Sequence, residues 1–259
     1  LSRGLGDVYK RQVLMSAFLL LSAFSCGGGN KANSTSEQSE ETAVNVPQFD
    51  ADSAYLYVKN QVDFGPRVPN TKEHVACGNY LAGQLEAFGA QVTNQYADLI
   101  AYDGTLLKAR NIIGSYKPES KKRIALFAHW DTRPWADNDP DEKNHNTPIL
   151  GANDGASGVG ALLEIARLVN QQQPELGIDI ILLDAEDYGA PQFYTGQHKE
   201  EFWCLGSQYW ARNPHVQGYN ARFGILLDMV GGEGSVFMKE GYSEAVSYTH
   251  LRAHETRGN

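Results

Sequence analysis

The chain has 259 residues, 42% of them hydrophobic and 20% charged, a balance that excludes a disordered protein and supplies enough apolar surface for a sizeable core. Acidic residues outnumber basic ones by 31 to 22, giving a formal net charge of −9 and an isoelectric point near 5.2, so nucleic acid is not an expected partner. Three cysteines, Cys26, Cys77 and Cys204, are too few for a disulfide scaffold or a cysteine-rich zinc module.

The two ends read differently from the rest. Residues 1–12 (LSRGLGDVYKRQ) and 246–259 (VSYTHLRAHETRGN) carry neither a helical nor a strand period and resemble translated sequencing-adapter read-through. They are set aside from fold reasoning, His250 and His254 with them, and the native chain is expected to continue beyond residue 245. Val13–Phe24 (VLMSAFLLLSAF) is an apolar run shorter than the ~20 residues a spanning helix needs, but it suits the core of a secretory signal. With Ala23-Phe24-Ser25-Cys26 behind it, segment 13–26 resembles a bacterial lipoprotein signal, although Ala23 stands where such signals usually carry Leu. Cys26 would then be the lipidated N-terminus of an exported protein on the periplasmic side or at the outer membrane. The lipid would be its only membrane contact. Residues 27–48 are polar and lack aromatics, as a flexible tether does, and residues 49–245 form the expected catalytic domain. Export would permit a Cys77–Cys204 disulfide, which sequence cannot test.

Within that domain, Asp52–Phe64 and Lys72–Phe88 place apolar residues at helical spacing, the second run stopped by Gly89. Phe64-Gly65-Pro66-Arg67-Val68-Pro69-Asn70 between them reads as a loop. Gln91–Leu99 and Leu106–Tyr116 read as strands joined around Asp103-Gly104. Three later runs, Arg123–Asp131 (RIALFAHWD), Ile178–Asp187 (IDIILLDAED) and Arg222–Met229 (RFGILLDM), are continuously apolar, as strands covered on both faces are. Gly155–Gln172, with Val159, Leu162, Leu163, Ala166 and Val169 on one face, is the helix of a crossover unit between the first two. The fold class is therefore α/β, a three-layer sandwich with a mostly parallel central sheet and helices on both faces.

Ligands of such sheets gather outside the carboxyl ends of the strands. That edge is expected to hold His129, Asp131, Asp154, Glu186, Asp187 and Asp228. Carboxylates crowded in one cleft repel and are costly to desolvate, and a divalent cation relieves both. Histidine with carboxylates favours zinc over calcium or magnesium. Taken singly, each acid also reads as a surface residue or a helix cap, Asp154 in particular standing at an N-cap position.

His129-Trp130-Asp131, Gly151–Gly158 (GANDGASG), Asp184-Ala185-Glu186-Asp187 and Leu227-Asp228 occur in an order and at intervals that resemble the zinc aminopeptidase-type superfamily, which includes glutaminyl-peptide cyclotransferases. Phe64–Thr71 and His129–Asp137 (HWDTRPWAD) are most similar to its bacterial glutaminyl cyclase branch. The resemblance spans about Phe49 to Tyr242. It implies that Asp154 and Asp187 ligate zinc, that Glu186 is the general acid/base, and that Asp228 beside it holds the substrate amine or a proton. His129 and Asp131 match the motif that binds a second zinc in the aminopeptidases, or else support the site. The cyclases use one metal and the aminopeptidases two. Two departures stand out: Glu186-Asp187 replaces the usual Glu-Glu pair, and the third zinc ligand, a histidine near the family's C-terminus, has no counterpart before residue 245. This fragment is therefore expected to bind zinc poorly.

The implied reaction converts the N-terminal glutamine of a peptide or protein to pyroglutamate with release of ammonia. The alternatives are a zinc aminopeptidase on the same fold and an inactive surface binding module. Trp135, after the His129 motif, is expected in an aromatic substrate pocket, with Trp130 and Tyr188–Tyr194 nearby, while Trp203 and Trp210 serve equally well as helix-core anchors. The acidic run Asp137–Glu142 lacks the ligand spacing of a calcium loop and reads as a solvated turn. His74, His145, His198 and His215 have no motif context and are expected at the surface.

Overall fold

The computed structural model describes residues 46–237. The two set-aside ends, the segment with Cys26 and nearly all of the tether lie outside the described residues. Asp50 caps helix α1 (Ala51–Val62) by accepting from the Asp52 and Ser53 amides, and Thr71 caps α2 (Lys72–Ala87) through the His74 amide. Between them the chain turns through Gly65 at φ 98° and Asn70 at φ 75°. Strands β1 (Gln91–Ile100) and β2 (Leu106–Tyr116) form the expected antiparallel hairpin, in register from Gln91 opposite Ser115 to Ile100 opposite Leu106. Strand β3 (Arg123–His129), helix α3 (Ala156–Gln171) and strand β4 (Gly177–Leu183) make the crossover unit. Helix α4 (Leu205–Arg212) and the short strand β5 (Gly224–Leu226) follow.

The strands form one sheet in the order β1-β2-β4-β3-β5. It is a mixed sheet, in which β4, β3 and β5 run parallel while β2 pairs antiparallel with both β1 and β4. Burial of both faces, with the two-residue period of a strand, explains why the β3 and β4 runs are apolar throughout. Strand β5, expected to be covered likewise, is instead exposed along Gly224–Leu226. Leu126 and Ala128 of β3, with Ile178, Ile180 and Leu182 of β4, face α2 and α3, where Leu81, Leu85, Leu162 and Leu163 are fully buried. Their alternates Ala125, Phe127, Ile181 and Leu183 face the other way, toward Trp210 of α4 and Tyr219. Each fully buried Leu or Ile contributes about 1.5–3 kcal/mol, so burial of both faces fixes the strand register firmly. Helix α1 lies against α3 where Gly160 leaves no room for a side chain: a Cβ there would stand 2.6 Å from Val58 Cγ2.

Strands β3, β4 and β5 stop earlier than their apolar runs suggest. After β3, the Trp130 amide still donates to the Leu183 carbonyl, and the chain then leaves the sheet. Beyond β4, Ala185 takes a left-handed φ of 50°, which ends pairing and turns Glu186 and Asp187 out over the strand ends.

Candidate metal and acid–base site

All six acid and imidazole groups expected at the carboxyl edge are found there, each delivered by the end of a parallel strand or by the turn before α3. The imidazole of His129 is buried. Its Nδ1 donates to Asp131 Oδ1 at 3.4 Å, and its Nε2 faces Asp154 Oδ1 at 2.9 Å and Asp228 Oδ1 at 3.6 Å. Burial alone would depress its pKa, but hydrogen bonds to Asp131, Asp154 and Asp228 hold it well above the ordinary histidine value. Ligand atoms of His129, Asp154 and Asp228 all lie within 4.8 Å of one another. Asp154 is not a helix cap: the N-cap of α3 is Gly155 at φ 89°, without a side-chain cap, and the Asp154 carboxylate turns to His129 instead.

Asp131 stands behind this group rather than in it. Fully buried, it accepts the Glu186 amide on Oδ1 and the Asp187 amide on Oδ2, both at 3.1 Å. Burial would raise its pKa, yet the His129 hydrogen bond and these two amides hold it below the usual carboxylate range. The geometry makes it a support that orients the imidazole and pins the 186–187 backbone, with both oxygens already engaged.

Glu186 and Asp187 are in unlike surroundings. Burial pushes the Glu186 carboxyl up, and the Cys204 thiol donates to its Oε1 at 3.1 Å. Asp187 is buried, with Oδ1 held by Arg133 Nη1 at 3.2 Å and Oδ2 without any hydrogen-bond partner. Desolvation, with the charges of Asp131 and Asp154, raises its pKa to about 8. A buried carboxylate oxygen without a donor is costly unless a cation faces it. The cluster of His129, Asp154 and Asp228 offers imidazole and carboxylate, the donor set of zinc, and the orphaned oxygen of Asp187 is separately suited to a cation.

Several further groups frame the site: Arg67 from the Phe64–Thr71 motif, and two histidines that have no motif. Arg67, fully buried in the loop between α1 and α2, donates to the carbonyls of Trp130, Leu150 and Gly151 and so ties the two loops that carry Asp131 and Asp154. His74 is buried, contrary to the surface position expected for it. It stacks on Trp130 with ring centroids 4.3 Å apart and hydrogen-bonds Asp184 at 2.8 Å, because the core face of α2 meets the turn after β4 there. His215 is also turned inward, beside Trp210 and Asp179, whereas His198 is exposed. Only the distant chain segments that meet at these rings could have revealed them.

Trp135 is half-buried, edge-on to Tyr102 and Tyr188 at 5.8 and 5.3 Å, next to the site through Tyr188. Trp130 is not a pocket residue. It is fully buried in the core, its Nε1 donating to the Arg110 carbonyl. Trp210 is a core anchor, edge-on to Phe127 at 5.4 Å. Asp137 departs from the solvated turn expected of its run: it is buried and forked by Arg133, while Asp139 and Asp141 do form a local turn. Cys77 and Cys204 are both free thiols; Cys77 lies in the α2 core and Cys204 on Glu186.

Residues 111–257 match the model of peptidase family M28. Two solved structures, a glutaminyl cyclase of Bacteroides thetaiotaomicron bound to N-acetylhistamine and a leucine aminopeptidase precursor of the same organism, are each 87% identical to the chain. Each match covers 83% of this chain and 75% of the other, with a TM-score of 0.78. A curated glutaminyl-peptide cyclotransferase of Drosophila melanogaster is 24% identical over 215 residues, 78% of this chain. The chain spans about half or less of the length of the curated relatives it matches, 55% in that case. With its mixed sheet, the acid and imidazole groups at the strand ends and a family match over more than half its length, the chain belongs to peptidase family M28.

Proposed function

We propose that this protein is a zinc-dependent glutaminyl-peptide cyclotransferase acting on the N-terminal glutamine of peptides or proteins. The observation that carries the reading is the pair of unlike carboxylates after β4: Glu186 with its proton affinity raised by burial, and Asp187 with an orphaned buried oxygen. The 87% identity to a bacterial glutaminyl cyclase supports the choice of reaction. Asp154 and Asp187 would hold one zinc, which when bound polarises the γ-carbonyl of the substrate and stabilises negative charge on it.

The remaining chemistry belongs to the chain. The substrate amine attacks its own γ-amide carbon, the C–N bond to the amide nitrogen breaks, and ammonia departs. Glu186 takes the amine proton and returns it to the leaving nitrogen, a role suited to a carboxyl with a raised pKa. Asp228, half-exposed and beside His129, holds the amine end. Trp135 with Tyr188 forms the aromatic wall for the glutamine side chain. Export and lipid anchoring at Cys26 belong to the same proposal and rest on the signal-like segment 13–26.

An aminopeptidase is the second reading, favoured by the equally similar aminopeptidase precursor. One mass spectrum separates the two. After incubation of the zinc-loaded protein with a peptide beginning in glutamine, loss of one ammonia with every residue retained is expected. Loss of the first residue would establish the aminopeptidase, and an unchanged peptide would overturn both. Glu186→Gln should abolish turnover while zinc stays bound; persisting turnover would remove Glu186 from the mechanism.

A further inference from the structure

Arg133 lies on the loop after β3, four residues past His129, and among the described residues it is the only cation paired with Asp187. Its guanidinium is nearly enclosed. Nε and Nη2 fork onto Asp137 at 2.7 and 2.6 Å, while Nη1 donates to both Oδ1 and the main-chain carbonyl of Asp187 at 3.2 Å. Nη2 also reaches the Ala190 carbonyl at 3.5 Å. The plane is flanked by the rings of Trp203 and Trp135, at 4.9 and 5.7 Å from the guanidinium carbon. Asp137 is itself fastened, accepting the Gln192 amide at 2.9 Å.

We infer that Arg133 is a positioning residue that aims Asp187, binding one carboxylate oxygen so that the other is left free to ligate the metal. The inference rests on the reading of Asp187 as a zinc ligand. Three features carry it. The two oxygens of Asp187 are treated oppositely: Oδ1 is engaged by Arg133, and Oδ2 is buried with no donor. Contact with the main-chain carbonyl as well as the side chain removes freedom at both ends of a short residue, so the free oxygen has one direction to point. The fork with Asp137 and the two indole faces then fix the guanidinium itself, which a flexible ammonium at this position could not match.

Zinc affinity, measured by competition with a chromophoric chelator, is the readout, because a merely structural role would not move it. Arg133→Met alone leaves Asp137 buried and unpaired, so the double variant Arg133→Met/Asp137→Asn is prepared beside it to keep the loop neutral. Both should lose about 10–100-fold in zinc affinity, the range for removing a partner that orients a ligand. The double variant should keep a cooperative melting transition in metal-free buffer. An affinity within about threefold of the wild type in a folded double variant would overturn the inference, whatever happens to the melting temperature. Asp187→Asn is measured in parallel. If it too retains zinc, the assignment of Asp187 as a ligand fails; if it loses zinc while the Arg133 variants do not, only the positioning role fails.

Discussion

Replacing Arg67 with methionine tests whether one buried guanidinium assembles the rim of the site. The side chain is fully buried and donates from Nε to the Trp130 carbonyl at 3.1 Å, from Nη1 to Leu150 at 2.7 Å and from Nη2 to Gly151 at 2.8 Å. Methionine fills much of the same space but supplies none of the donors. The Trp130 carbonyl is left buried without a partner, at a cost of about 1–3 kcal/mol; the Gly151 carbonyl keeps the Ala156 amide at 3.2 Å, and the Leu150 contact is partly open, so water can replace it. Against this, burial depresses the Arg67 pKa despite the nearby charges of Asp131 and Asp154, so removing the cation recovers part of a desolvation penalty. The balance is a loss of about 1–3 kcal/mol. For a domain of this size that is a fall of roughly 3–10 °C in melting temperature. Scanning calorimetry of the metal-free protein measures it. A melting temperature within about 2 °C of the wild type would refute the reasoning.

Three further outcomes follow from the same geometry. In metal-free protein Asp187→Asn should raise stability by removing a buried carboxylate with a partnerless oxygen, and added zinc should no longer raise the melting temperature; a lower metal-free melting temperature would contradict this. A Cβ at Gly158 would stand 2.2 Å from the Leu227 carbonyl, so Gly158→Ala should cost about 1–3 kcal/mol and shift Asp228, read as weaker binding of a glutaminyl peptide. Asp137 has a pKa below the ordinary carboxylate range, because its hydrogen bonds to Arg133 and the Gln192 amide outweigh the upward push of burial. The unfolded state therefore binds the proton first. The stability this group contributes is complete above the ordinary range and is lost as pH falls through its depressed value. Denaturant titrations between about pH 3 and 6 should show Asp137→Asn with a flatter acid limb than the wild type.

The element order and the chemistry of the site's front were legible in the sequence, since both depend on neighbouring residues. Apolar spacing marks α1, α2 and α3, and unbroken apolar runs mark β3 and β4 as strands covered on both faces. The acids and the imidazole after those runs had to arrive at one edge, because parallel strands joined by a crossover present the same end. What spacing overstated was strand length. The runs continue to Asp131 and Asp187, but the left-handed turn at Ala185 and the departure of the chain after Trp130 end pairing sooner. Those breaks are what aim Glu186 and Asp187 away from the sheet.

Tertiary structure alone decided which groups stand behind the site. Arg67 meets carbonyls more than 60 residues away, His74 meets Asp184 across 110 residues, and Arg133 meets Asp187 across 54. Asp131, which its motif left open between metal ligand and support, receives the amides of residues 186 and 187 on its two oxygens only in the folded chain. The physical reason is the same in each case. A buried polar group must find its partner wherever packing places one, so its role belongs to the fold, whereas periodicity and the residue types at a strand end are properties of the local chain.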